Sequence, residues 1–126
     1  MAISDDEKGV ITRLVMNLLD GWGAELSQQV ILLGFPPETK PRELKQYHQG
    51  EALPDNAKIL EHVRVLLAID QALQMQYPHH KGMVNMWVKT KCRYFRKRMP
   101  LDIALERGLD GLYEIHRHLD CTQNWV

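Results

Sequence analysis

The chain has 126 residues, with 16 Lys or Arg against 16 Asp or Glu and a formal net charge of zero. This length fits one domain able to bury roughly two-thirds of its unfolded surface without a disulfide or metal. Neutral charge argues against a protein whose whole surface grips nucleic acid, and a 7% aromatic content amid many aliphatics favours an all-α fold over a sandwich.

Ser4-Asp5-Asp6-Glu7 is a capping-box pattern, with Ser4 as N-cap. Val10, Ile11, Leu14, Val15, Leu18 and Leu19 follow at helical spacing, predicting a helix to about Asp20, broken by Gly21 and Gly23. An acidic start is unlike a signal peptide, and no apolar run is long enough to span a bilayer, so a soluble cytoplasmic protein is expected. A second helix carries Leu26, Val30, Ile31 and Leu33 and stops at Gly34. Phe35-Pro36-Pro37-Glu38 forms a turn. Thr39 is the expected N-cap of a short third helix with Pro41 in its first turn, running to about His48.

These second and third helices can make a helix-turn-helix that presents Lys40, Arg42 and Lys45 to DNA phosphates. Glu38 and Glu43 oppose those cations, and a hairpin kept for packing is the competing reading.

Gln49-Gly50-Glu51 reads as a turn, and Leu53-Pro54-Asp55 opens the longest helix. Ile59, Val63, Leu66, Leu67 and Leu73 line one face of it, and it ends before Pro78. A fifth helix holds Met83, Trp87 and Val88. Then come six cations, Lys89, Lys91, Arg93, Arg96, Lys97 and Arg98, with no acid among them and with Tyr94 and Phe95 interleaved. Single-stranded nucleic acid, a protein partner and plain solvation all fit such a stretch. Pro100 suits the first turn of a sixth helix, with Asp102 favoured by the helix dipole and Gly108 as its stop. Leu109, Leu112, His116 and Leu119 mark the last helix, followed by a polar tail containing Trp125. The whole is expected to be a single all-α domain, a compact bundle of six or seven helices with no strand.

Chemistry-bearing patterns are few. Six histidines show no HExxH or Cys/His ligand spacing, so solvated or capping roles are expected and no metal or cofactor is implied. Cys92 and Cys121 make no CxxC pair. Cations beside Cys92 favour its thiolate, but no base partner is identifiable along the chain, and an enzyme using it would need one nearby in space. There is no GxSxG and no glycine-rich phosphate loop, so no enzyme is expected.

Taken in order, several pieces resemble the Xre/MbcA/ParS antitoxin family. They are Trp22, Leu32-Leu33-Gly34-Phe35-Pro36, Thr39, Leu53 with Asp55, Leu67-Ala68-Ile69-Asp70-Gln71-Ala72-Leu73, Tyr77-Pro78 and Trp87. Phe95, Pro100-Leu101-Asp102, Gly108, Leu112 and Arg117-His118-Leu119-Asp120 complete the series, which covers roughly residues 20–125. Two departures stand out. Arg96-Lys97 occupy the place of the family's usual Gly-Gly, which predicts a looser turn, and Met99 replaces a capping Ser or Thr, which predicts a less firmly started sixth helix.

The resemblance implies an antitoxin of a type II toxin–antitoxin pair that binds a RES-domain, NAD-degrading toxin and blocks its active site. It further implies a homodimer within a larger complex, and it leaves operator DNA as a further partner. Residues 1–52 would form the helix-turn-helix-like half and residues 53–126 the toxin-binding half. The residues expected to meet the toxin are Arg93, Phe95, Arg96, Lys97, Arg98, Arg117, Gln123, Asn124 and Trp125. The alternative is a stand-alone helix-turn-helix transcriptional regulator, which would need no adjacent gene for a RES-type protein.

Overall fold

The structure, a computed structural model, describes residues 5–123 and the side chains of residues 6–120. Among the described residues the chain is all-α, a compact bundle of α1 (Asp5–Gly21), α2 (Leu26–Leu32), α3 (Lys45–His48), α4 (Ala57–Gln76), α5 (Lys81–Trp87), α6 (Pro100–Arg107) and α7 (Leu109–Gln123). Short 3-10 turns occupy Pro41–Leu44 and Arg93–Phe95. The expected cap Ser4 lies outside the described residues, as do Asn124 and Trp125.

α4 is the central element. Ile59, His62, Val63, Val65, Leu66, Ile69, Ala72 and Leu73 are all buried, forming one broad face that covers about half of its circumference. It packs against α7, α1 and α5. Each aliphatic side chain withdrawn from water in this way contributes roughly 1.5–3 kcal/mol before the entropy of ordering is counted. The helix begins two residues later than the Leu53-Pro54-Asp55 signal implies. Asn56 is the cap, and its side-chain oxygen accepts from the backbone N–H groups of Lys58 at 2.9 Å and Ile59 at 3.2 Å.

In α1, Val15, Leu18 and Leu19 enter the core while Val10 and Leu14 stay exposed, so the buried stripe is narrower than the sequence spacing suggests. Trp22, just after α1, is one of the largest fully buried side chains. α2 begins after Glu25, whose N–H donates to Gln28 Oε1 at 2.9 Å, a capping contact the sequence reading did not pick out. Thr39 does not cap the next element. Lys40 takes the capping position without a side-chain bond, and Pro41 opens a 3-10 turn that becomes a true α-helix only for the single turn of α3.

Among the described residues three polar side chains are buried, and two of them bind the first half together. Gln29 donates to the Ala24 carbonyl at 2.9 Å and to Asp20 at 3.2 Å, and its amide oxygen accepts from His48 Nε2 at 2.9 Å. Thr12 donates to the Lys8 carbonyl at 2.8 Å and accepts from the Leu53 N–H at 3.0 Å, which fixes the approach to α4 against α1. The third is His62, a core residue and not the solvated or capping histidine the sequence implied. Its Nδ1–H donates to the Leu32 carbonyl at 3.0 Å, while Nε2 is buried without a hydrogen-bond partner. Gly34 makes room for this ring: its φ is +79°, and a Cβ there would stand 2.5 Å from His62 Cδ2.

A second link joins α4 to α7. The Arg64 guanidinium and the Tyr113 hydroxyl both donate to the Glu61 carboxylate, which holds its pKa down at about 2. α6 and α7 lie so close that a Cβ on Gly111 would meet the Ile103 carbonyl oxygen at 2.5 Å.

Burial pushes the His62 imidazole below its ordinary value of 6.5, with the Leu32 bond opposing only in part. Above that value both folded and unfolded chains carry it neutral. As pH falls, the unfolded chain takes up the proton first, so stability present above 6.5 is lost toward the lower folded pKa. Unfolding free energy measured from pH 7 to pH 5 should therefore fall, and in His62→Phe the slope should be shallower by up to about 1.4 kcal/mol per pH unit. An unchanged slope would mean that His62 titrates alike in both states.

Candidate functional site

The basic stretch is a closed ring of backbone. α5 ends at Trp87, and Val88 and Phe95 are both anchored in the core. Cys92 N–H donates to the Arg98 carbonyl at 3.0 Å. The Cys92 carbonyl accepts from Phe95 at 3.1 Å and Lys97 at 2.9 Å, and Arg98 N–H donates to the Phe95 carbonyl at 3.1 Å. Closing so short a ring requires two successive left-handed residues, and these are Arg96 (φ 56°) and Lys97 (φ 66°). The expectation of a looser turn is thus corrected. The tight turn survives without glycine, and two residues bearing Cβ atoms hold a conformation that costs roughly 1–2 kcal/mol each. The bonds across the ring and the buried Phe95 ring leave them no alternative.

Met99 makes no side-chain cap for α6, as expected. The first free donor of the helix, Leu101 N–H, instead reaches the Val88 carbonyl at 2.9 Å. A backbone contact to the end of α5 therefore does what a Ser or Thr would do, and both ends of the loop are tied to one place.

The loop side chains divide into three groups. Arg93, Arg96 and Lys97 are exposed, and none has an ion-pair partner among the described residues. Arg98 is also exposed but pairs with Glu106, and Arg107 beside it pairs with Glu114 at 2.6 Å. Phe95 is only 5% exposed, so it anchors the loop and is not available at the surface for a partner. No acid lies within the run in sequence, and Glu106 comes to it from α6. A cleft lined by Tyr94, Phe95, Arg96, Arg98, Arg107 and Glu114 opens beside the ring.

α7 passes next to the same loop. His118 stacks on Tyr94 at 4.3 Å between ring centres and on Trp87 at 6.4 Å, and Phe95 meets it edge-on at 5.7 Å. Its Nε2 lies 3.9 Å from Cys92 Sγ. Burial pushes the pKa of this imidazole down. The turn that carries His118 also carries exposed Arg117. Gln123 ends α7, with its side chain outside the described set.

Lys40, Arg42 and Lys45 are exposed on the other half, around the 3-10 turn and α3. Exposed Glu38 and Glu43 stand among them. The candidate recognition element is a single α-helical turn of 4 residues, short for a helix that must lie in a major groove. Among the described residues, no group of three or more His, Cys, Asp or Glu can hold a metal ion, and no helix is long and apolar enough to cross a membrane.

Relieving the left-handed strain should stabilise the fold. Arg96→Gly with Lys97→Gly removes the Cβ penalty at both positions, against a glycine entropy cost of roughly 0.5–1 kcal/mol each. The expected result is a gain of about 1 kcal/mol for the pair, read by urea unfolding. A loss of stability would show that the two side chains make contacts that outweigh the strain.

Compared with models of known families, with characterised proteins and with solved structures, the chain matches none.

Proposed function

We propose that the chain is an antitoxin that binds a RES-domain, NAD-degrading toxin and blocks its active site without turning over a substrate itself. The observation that carries this reading is the set of exposed cations Arg93, Arg96 and Lys97 on a strained loop beside α7, which itself carries exposed Arg117. A loop meant only for solvation has no need of two cationic residues held in the left-handed region. Strain of this kind is retained where the position of the side chains matters. Partner docking needs that positioning, and exposed cations held in this way speed association with a partner whose surface is acidic. The resemblance in residue order from Trp22 to Asp120 points to the same half of the chain.

The proposal also ranks the cations. Arg98 is held by Glu106, so its charge is less free to meet a partner than those of Arg93, Arg96 and Lys97. Binding to the RES-domain product of the neighbouring gene and inhibition of its NAD consumption test the reading together. The parent chain should co-purify with that protein and suppress its activity. Arg93→Ala, Arg96→Ala and Lys97→Ala combined should fold normally and associate about tenfold more slowly at low salt, with the difference narrowing as salt rises. Full-speed association by a folded triple variant would remove this face from the mechanism, and absence of any complex with the parent chain would overturn the antitoxin reading.

A further inference from the structure

Cys92 and His118 are 26 residues apart in sequence, and the packing of α7 against the basic loop places Nε2 at 3.9 Å from the thiol sulfur. Three aromatic rings fix the imidazole in this attitude: Tyr94 and Trp87 stack with it and Phe95 meets it edge-on. A histidine held on several sides has little freedom to turn away from the thiol. Cys92 itself is partly exposed, so a small co-reactant can reach it. Lys91 and Arg93 flank it in sequence and are both exposed, and the same ring carries Arg96 and Lys97. An anionic co-reactant is attracted by these charges. The sequence lacked a base for this thiol, and the fold supplies one.

We propose that Cys92, with His118 as its proton acceptor, is a site of reversible mixed-disulfide formation with anionic low-molecular-weight disulfides. The Cys92 S–H proton passes to His118 Nε2, and the thiolate attacks one sulfur of the incoming disulfide. A new S–S bond forms to Cys92 as the old one breaks. The departing thiolate takes the proton back from the imidazolium and leaves as a thiol. One disulfide replaces another, so no further oxidant is required. A neutral imidazole is the form that accepts this proton, and burial of His118 favours that form. The inference goes beyond the toxin-binding reading and stands without it, although an adduct at Cys92 would sit within the face assigned to the partner.

The test uses the full chain carrying Cys121→Ser, which leaves Cys92 as its single thiol. Glutathione disulfide is the anionic probe and hydroxyethyl disulfide the neutral one, with adduct formation followed by intact mass. At pH 7 the folded chain should react with glutathione disulfide at least about tenfold faster than the same chain unfolded in urea. His118→Phe, which keeps an aromatic ring in the stack, should lose that advantage at pH 7 and react as fast as the parent above the ordinary thiol pKa of about 8.5, where no base is needed. His118→Gln is the second variant should the phenyl ring disturb packing. Raising salt from about 0.02 to about 0.5 M should slow the anionic probe and leave the neutral one unchanged. A folded rate no greater than the unfolded rate, or full reactivity at pH 7 in both folded His118 variants, would overturn the site. An equal response of the two probes to salt would overturn the anionic class of co-reactant.

Discussion

The peptide groups of Cys92 and Arg98 close a ring that forces Arg96 and Lys97 into the left-handed region, and the exposed C-terminal face is built outward from that constraint. Phe95 points from the ring into the core, and Tyr94 lies over His118. Arg93, Arg96 and Lys97 are left facing solvent. The ring is fixed at its far end by the Leu101 N–H bond to the Val88 carbonyl, so α5, the loop and the start of α6 share one anchor. The cations are therefore held by backbone geometry rather than by ion pairs. That is an economical way to position charge, because an exposed ion pair is worth little and would neutralise the charge it positions.

Behind this face the bundle depends on α4. Its broad buried face gives α1, α5 and α7 a common surface, and α7 in turn carries His118 to the loop. The N-terminal half is joined more by polar bonds, with Gln29, His48 and Asp20 linking α1, α2 and α3. His62 connects the two halves through the Leu32 carbonyl, and Gly34 leaves the space its ring fills. Such contacts make the relation of the halves sensitive to the protonation of one buried ring.

Much of the fold was legible because its signals are local. Gly34 and Gly108 stop helices, Pro100 opens one, and apolar spacing gives the long helices their places. Errors arose where a neighbouring element decides. Pro54 drew the start of α4 too early, while Asn56 does the capping. Pro41 sets a 3-10 turn that a Thr39 cap did not foresee. Exposure of Val10 and Leu14 depends on where α1 meets its neighbours, which periodicity does not encode. The site was half legible. The cationic run and the missing Gly-Gly are visible in the sequence, but not that the turn would survive the loss. The Arg98–Glu106 and Arg107–Glu114 pairs and the Cys92–His118 contact join separate elements, and no spacing rule reaches across them.

The account's central claim is that Arg96 and Lys97 are kept in a strained conformation because their charges, so placed, meet a partner. Affinity for the RES-domain protein, measured by calorimetric titration for the parent and for the variant with glycine at both positions, tests it directly. That variant keeps the turn and removes only the two side chains. The account predicts an affinity lowered about tenfold or more at low salt in a chain that is no less stable. Undiminished affinity in the glycine variant would contradict it.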